Sequence, residues 1–278
     1  MNNDDQRQKA LAFRRLHHGP RILLLPNIWD VASARVVAQC GYPALATTSA
    51  GVAFSLGYPD GENISRDEML ARVAAIAERV DLPVTADVEA GYGQRPEDAA
   101  LTAQGVIEAG AVGMNLEDGT GDPEHPLADL SLQVERIRAV RETAHKSAFP
   151  LVLNARTDVY LTPIGEPGRR YAVALQRALA YRDAGADCVF VPGLDDLENI
   201  AQLVKDVKYP LNILAGYGSP SALDLEKAGV ARLSLGSGPM RATLGLLRRL
   251  AEELKSVGTY SRMDGAPPHA EVNRMLGK

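Results

Sequence analysis

The chain has 278 residues, 46% of them hydrophobic and 23% charged, with a formal net charge of −5 at pH 7. This composition suits an enzyme-sized globular domain with a large core, and its negative balance argues against a broad nucleic-acid surface. No apolar stretch approaches the roughly 20 residues of a membrane span and Met1–Asp5 opens no signal-peptide core, so a cytoplasmic setting without a membrane partner is expected.

In chain order, the helical spacing of Asp4–Leu16 predicts an N-terminal helix within residues 1–20, ahead of a first strand at Ile22–Leu25. A second strand, Ala44–Thr48, runs into Thr47-Thr48-Ser49-Ala50-Gly51. The turn cluster Pro59-Asp60-Gly61-Glu62-Asn63 precedes Ser65-Arg66-Asp67-Glu68, a capping box that opens a helix over Met69–Val80. Strand Val84–Val88 ends in Asp87-Val88-Glu89, followed by Gly91-Tyr92-Gly93. Strand Gly113–Glu117 ends in Glu117-Asp118 and leads into a polar, Gly- and Pro-rich loop, Gly119–Pro126, a candidate lid. Strand Leu151–Ala155 runs into Asn154-Ala155-Arg156-Thr157-Asp158, with a second loop at Pro163–Gly168. Strands at Cys188–Val191, Leu211–Ala215 and Leu233–Gly236 follow, then a helical pattern over Leu244–Leu254 and a polar extension, 258–278, outside the main unit.

A helix-to-glycine join recurs at Cys40-Gly41-Tyr42, Ala109-Gly110-Ala111, Ala184-Gly185-Ala186 and Ala228-Gly229-Val230, so one supersecondary unit is used repeatedly. Strands alternating with helices predict an α/β fold, a (β/α)8 TIM barrel spanning 1–278 as a single domain, with an open doubly wound sheet as the alternative. In either architecture ligands bind beyond the carboxyl ends of the strands, where the polar signatures lie. Cys40 and Cys188 have neither disulfide nor metal-ligand spacing and read as small hydrophobes.

Alternation on a strand would put Asp87 and Glu89 on one face. Two such carboxylates repel by roughly 4 kcal/mol at about 4 Å and an effective dielectric near 20, so a cation, a shared proton or basic neighbours must offset them. With no Cys or His beside them, a cation would be Mg²⁺ or Mn²⁺; solvated acids at a strand end are the alternative. Asp118 can equally cap the following segment. Arg156 offers a guanidinium fork for a carboxylate or phosphoryl group, or a structural salt bridge across the barrel top. Thr48-Ser49-Ala50-Gly51 offers hydroxyls and backbone N–H groups to an anion.

With Ser55-Leu56-Gly57-Tyr58-Pro59-Asp60, Ala86-Asp87-Val88-Glu89-Ala90-Gly91-Tyr92-Gly93, Asn115-Leu116-Glu117-Asp118 and Ala155-Arg156-Thr157-Asp158, the chain resembles the isocitrate lyase/phosphoenolpyruvate mutase superfamily from Leu25-Pro26-Asn27 to about Leu250. The resemblance implies a barrel whose eighth helix is exchanged with a neighbouring subunit, in dimers that pair into homotetramers. It also implies Mg²⁺ and a small 2-oxo or enol carboxylate as ligand. Carried over residue by residue, Asp60, Asp87, Glu89 and Glu117 hold the metal, largely through waters, with Asp87 most direct. Ser49, Ala50 and Gly51, with Thr48 and Asn212, bind the substrate carboxylate, and Arg156 binds substrate oxygens.

Two departures stand out. Many members have Asp-x-Asp where this chain has Asp87-Val88-Glu89. The lyases carry a Lys-Arg/Lys-Cys-Gly-His loop whose Cys supplies the proton, and the mutases a longer loop with Lys and Asn; this chain has Gly119-Thr120-Gly121-Asp122-Pro123-Glu124-His125-Pro126. The proton then falls to His125 or Glu124, with Tyr92 as rival, beside Arg156 and Glu117 in the catalytic set; a solvated surface histidine is the alternative reading of His125. The expected activity is Mg²⁺-dependent, lyase-class C–C cleavage of a small 2-oxo or 2-hydroxy carboxylate through an enolate. Phosphonomutase-type P–C chemistry and a non-catalytic 2-oxo acid binder are the alternatives.

Overall fold

The computed structural model describes residues 3–162 and 167–277; most of the loop expected at Pro163–Gly168 lies outside them. Helix α1 (Asn3–Leu16) leads into β1 (Leu23–Leu25), β2 (Asn27–Ile28), α2 (Val31–Gln39), β3 (Leu45–Thr47), α3 (Ser49–Ser55) and α4 (Arg66–Arg79). Then come β4 (Val84–Asp87), α5 (Pro96–Glu108), β5 (Gly113–Glu117), α6 (Leu130–Lys146), β6 (Val152–Arg156) and α7 (Arg170–Asp183). The remainder is β7 (Cys188–Phe190), α8 (Leu197–Val207), β8 (Leu211–Leu214), α9 (Ala222–Lys227), β9 (Arg232–Ser234), α10 (Gly238–Ser256) and α11 (His269–Leu276).

All strand pairings are parallel, in the order β1-β9-β8-β7-β6-β5-β4-β3-β2. β1 and β2 are two halves of one strand broken at Pro26, which has no N–H to give to a ladder. β1 pairs with β9 and β2 with β3, so Leu23–Ile28 brings the sheet round on itself. The fold is the expected α/β barrel, and this closure rules out the doubly wound sheet. Expected strand bounds fall within two residues of those observed; β2, only two residues long, is the strand the sequence reading missed, while the expected Ser49–Gly51 turn opens helix α3 and the polar C-terminal extension contains α11. α4 starts where the capping box placed it: the Ser65 hydroxyl accepts from the Glu68 N–H at 3.2 Å, and the Glu68 carboxylate accepts from the Ser65 N–H at 2.9 Å.

α1 closes the amino ends of the strands. A Cβ on Gly113, the first residue of β5, would stand 2.8 Å from the Val152 carbonyl oxygen and 3.1 Å from Phe13 Cε1, so α1 can come this close only because residue 113 is glycine. His17, one turn beyond Phe13, is buried. Its Nδ1 lies 2.9 Å from the Phe13 carbonyl, which can only accept, so Nδ1 carries the proton and Nε2 faces the buried Arg232 guanidinium at 3.5 Å. Burial, and then Arg232, push the His17 pKa down to about 3.

His17 is therefore neutral in the fold and titrates near pH 6.5 once unfolded. Its stabilising contribution is complete above the unfolded value and drains away as pH falls from there toward the folded value. Between pH 7 and pH 4.5 the wild type should lose roughly 2–3 kcal/mol more unfolding free energy than His17→Gln. Equal losses in urea titrations of the two proteins would mean that His17 is not held neutral.

At the other end of the chain, α10 leaves the barrel with Leu247 and Leu254 each more than 60% exposed. Beyond it, α11 lies against α2, where Arg35 donates to the carbonyls of Met275 (2.8 Å) and Gly277 (2.7 Å). No described helix is long and apolar enough to cross a membrane.

Candidate active site

Asp87 ends β4 and is only 8% exposed. Its Oδ2 accepts from the Ser49 N–H and hydroxyl, both at 3.0 Å, and its Oδ1 from the Asn115 side-chain amide at 3.2 Å. The Asn115 carbonyl accepts in turn from the Asn154 amide at 2.7 Å, and the Asp87 N–H donates to the Thr47 hydroxyl at 2.8 Å. Ser49 at the start of α3 and Asn115 on β5 thus fix one carboxylate through hydrogen bonds strengthened by its charge, with β6 orienting Asn115 and β3 holding the Asp87 backbone.

The Ser49 N–H, expected to face a substrate carboxylate, is engaged by Asp87. Thr48 caps α3, accepting from the Gly51 N–H at 3.4 Å, and Ala50 and Gly51 are buried. A Cβ at position 51 would lie 2.5 Å from Thr48 Cγ2 and 3.1 Å from Trp29 Cβ, so Gly51 permits close packing of α3. Asn212 is fully buried on β8 and exchanges hydrogen bonds of 3.3 and 3.4 Å with Ser234.

Glu89 reaches the site by a route other than strand alternation. β4 stops at Asp87, and Glu89 stands in the following turn with φ +52°, so the turn rather than the pleat aims its side chain. Its Oε2 accepts from the Glu62 N–H at 2.6 Å, and Glu62 Oε1 accepts from the Tyr92 N–H at 2.7 Å. Glu62 (φ +55°) and Tyr92 (φ +58°) are also left-handed. Non-glycine residues in such conformations cost on the order of 1–2 kcal/mol each and persist where neighbours hold them; here the three hold one another.

Arg156, at the end of β6, grips Asp158 with a bidentate fork, Nε–Oδ1 at 2.5 Å and Nη2–Oδ2 at 2.9 Å, while Nη1 meets Glu117 Oε2 at 2.5 Å. Burial works against this cation, but Glu117 and Asp158 outweigh it and hold the guanidinium more firmly protonated than in water. Burial raises the Glu117 carboxyl well above its ordinary range, with Arg156 opposing. Burial, then Asp60, pushes Glu89 up to about 7, and burial, then Asp87, raises Asp60.

Asp118 does not cap a helix; α6 begins after Asp129. Fully buried, it accepts from the Asp158 N–H (2.8 Å), Arg177 Nη1 (2.9 Å) and the Tyr181 hydroxyl (2.6 Å). A buried carboxylate needs such partners, and through them α7 steadies the loop that carries Asp158.

The loop from Gly119 to Pro126 is pinned by an antiparallel bridge between Gly119 and Leu127 and by a hydrogen bond from the Thr120 hydroxyl to the His125 carbonyl. The His125 side chain is 80% exposed, with Nδ1 at 3.3 Å from Asp122. It borders a side cavity of about 410 Å³. The main rim cavity, about 530 Å³, is lined by Asp60, Glu62, Glu89, Glu117, Arg156 and Asp158 together with the loop from Gly119 to Asp122. The Tyr92 hydroxyl is buried without a hydrogen-bond partner; burial, then Glu89, raises its pKa. A larger cavity of about 1020 Å³ beside α1 shares no residue with the rim.

The residues suit a hard divalent cation held through water. The donors are all oxygens, burial and neighbouring carboxylates raise the Asp60 and Glu89 carboxyls, and Glu89 Oε1 is buried with no partner. Among the described residues no three Asp, Glu, His or Cys side chains stand close enough to grip an ion directly.

Asn115, Asn154, Glu62 and Asp158 lie in segments marked out in the sequence but were given no role there. Period-two alternation carried the signal for two of them, placing Asn115 on the face of Glu117 and Asn154 on that of Arg156. Glu62 had none, because a left-handed non-glycine residue leaves no mark in composition.

The family model for phosphoenolpyruvate phosphomutase matches residues 13–255. Among curated proteins, the uncharacterized protein Rv1998c of Mycobacterium tuberculosis (strain ATCC 25618 / H37Rv) is 35% identical over 269 residues, covering 96% of each chain. A crystal structure from Burkholderia cenocepacia J2315, described provisionally as a lyase/mutase, is 41% identical with a TM-score of 0.93, covering 99% of this chain and 98% of that one. 2,3-Dimethylmalate lyase, a member of the PEP mutase/isocitrate lyase superfamily, is 27% identical with a TM-score of 0.85, covering 97% of this chain and 95% of that one. The chain belongs to the PEP mutase/isocitrate lyase superfamily.

Proposed function

We propose that the chain is a Mg²⁺-dependent enzyme acting on a small 2-oxo or 2-hydroxy carboxylate, with carbon–carbon cleavage as its reaction class. The observation that carries this reading is the Asp87 carboxylate, fixed by Ser49 and Asn115 among the acids of the rim, with the partnerless Glu89 Oε1 close enough to feel them. The likeness to a lyase of the superfamily supports cleavage, and the match to the phosphoenolpyruvate phosphomutase family model keeps phosphonomutase-type P–C chemistry as the second reading. Asp87, with Asp60, Glu89 and Glu117 acting through waters, would hold Mg²⁺ or Mn²⁺. When bound, the metal polarises the substrate's 2-oxygen and stabilises negative charge developing there.

The remaining roles fall to the chain's own groups. Arg156 has donor hydrogens beyond those given to Asp158 and Glu117, and these bind substrate oxygens. Cleavage leaves an enolate or carbanion that must be protonated. The candidates are His125, once the Gly119–Pro126 loop folds over the cavity, and the Tyr92 hydroxyl, buried near Glu89 but outside the cavity lining. A panel of 2-oxo, 2-hydroxy and phosphonate acids, assayed with Mg²⁺ and with EDTA, tests the proposal. Metal-dependent turnover of a carbon acid supports it; binding without turnover of any member makes the chain a 2-oxo acid binder.

The exposed leucine face of α10 supports a homo-oligomer in which this eighth helix packs on a neighbouring barrel, in dimers that pair. Light scattering at micromolar concentration should give a mass well above 29.8 kDa, and a monomeric mass would remove the claim. We read residues 1–278 as one barrel unit with its terminal extensions.

A further inference from the structure

At the amino ends of the strands, where α1 meets the end of α6 and the turn into β6, lies a cavity of about 350 Å³. Arg7, Leu11 and Arg14 of α1 line it with Arg141 and His145 of α6 and Phe149, and no Asp or Glu is among its described lining residues. It shares no residue with the rim cavity. In a chain of net charge −5, such a gathering of cations runs against the whole. The acid that serves these arginines is Asp187, whose Oδ1 lies 3.1 Å from Arg14 Nε and whose Oδ2 lies 3.2 Å from Arg141 Nη2. Asp187 Oδ2 also accepts from the Leu153 N–H at 2.8 Å, so two guanidinium groups share one carboxylate that is already engaged. Arg141 Nε is buried with no acceptor, and burial lowers the Arg141 pKa with Asp187 offsetting it only in part. The Arg141 stem lies over Gly185, where a Cβ would stand 2.9 Å from Cγ, so the glycine join before β7 makes room for this cation. Arg7 and His145 are exposed and have neither an ion pair nor a side-chain hydrogen bond among the described residues. A buried cation short of acceptors is costly unless a further partner reaches it.

We propose that this cavity binds a small dianion, the phosphoryl group of a soluble phosphate ester. Three lining guanidinium groups against the one Asp187 carboxylate leave a surplus of two positive charges. A phosphoryl group near neutral pH matches that surplus, and a second carboxylate would not. The guanidinium fork fits phosphoryl oxygens, and a cavity of this size admits a small ester. Held between Arg7 and Arg14 on one side and Arg141 and His145 on the other, the anion would tie α1 to α6 and brace the amino end of the barrel. This site is independent of the metal-assisted reading of the rim.

Calorimetry and thermal melting of the intact protein in EDTA, at an ionic strength held constant with NaCl, would use inorganic phosphate and glycerol 3-phosphate as probes. Both should bind at one site per chain and raise the melting temperature by mass action, which chloride at the same ionic strength does not. The Arg7→Gln/His145→Gln double variant removes two exposed side chains that hold nothing else, so without phosphate it should melt as the wild type does. It should bind phosphate at least about tenfold more weakly, the size of losing a charge-assisted hydrogen bond. Arg141→Gln should weaken binding further at a cost to stability, since Asp187 loses a counter-ion. Arg156→Lys, altered at the rim, should bind phosphate as the wild type does. Stabilisation no greater than that of chloride, or equal phosphate affinity in the wild type and the double variant, would overturn the proposal. Loss of phosphate binding in Arg156→Lys would place the anion at the rim and overturn it as well. Capture by phosphatidate vesicles without a response to the free probes would assign the cations to a membrane surface and overturn the soluble-ester assignment.

Discussion

Asp87→Ala should abolish the rise in melting temperature that Mg²⁺ gives the wild type. At metal concentrations about a hundredfold above Kd, mass action stabilises the wild type by roughly 2.7 kcal/mol. For a chain of this size that is a rise of roughly 5 °C. The substitution removes the carboxylate that Ser49 and Asn115 hold in place and leaves Asp60, Glu89 and Glu117 without the acid they surround. Turnover of any substrate found should fall by at least about 10²–10³-fold, the size of losing a principal electrostatic stabiliser. The mutant also leaves the buried Ser49 N–H and hydroxyl without an acceptor, so its metal-free melting temperature should be lower. The diagnostic quantity is therefore the shift on adding metal, and equal shifts in wild type and mutant would show that Asp87 is not a ligand.

Arg156→Lys separates a substrate role from a structural one. Lysine keeps the charge but cannot span both oxygens of Asp158 while reaching Glu117, as the guanidinium does. Oxalate affinity in the presence of Mg²⁺ should drop by roughly 1.5–3 kcal/mol, about 10- to 100-fold, if Arg156 donates to the ligand. Stability should drop as well, because Asp158 and Glu117 lose part of their counter-charge. A destabilised variant with unchanged oxalate affinity by calorimetry would assign Arg156 wholly to the clamp.

The barrel was legible because buried parallel strands are continuous apolar runs and their helices end in recurring glycine joins. What the sequence hid was the break at Pro26, which makes one strand serve two neighbours through a two-residue half, too short to register as a run. At the rim, residue types and chain positions were readable: Asp87, Glu117 and Arg156 do end β4, β5 and β6. Conformations were not. Strand periodicity assumed that β4 continues through Glu89, whereas three mutually bonded left-handed residues, Glu62, Glu89 and Tyr92, redirect that segment. Local patterns also could not show that Asp118 would meet Arg177 and Tyr181 some sixty positions later, since only tertiary packing brings α7 there. The same limit applies to His125: its loop could be read, but the outward direction of its ring could not.

The most direct test of the central claim, a metal-assisted site for a 2-oxo acid head built around Asp87, is oxalate calorimetry on the wild type across a Mg²⁺ titration. Binding should be absent in EDTA and strengthen as Mg²⁺ rises, with Mg²⁺ affinity increased by the same factor when oxalate is present, as linkage requires. Oxalate binding of equal strength in EDTA and in saturating Mg²⁺ would contradict the account.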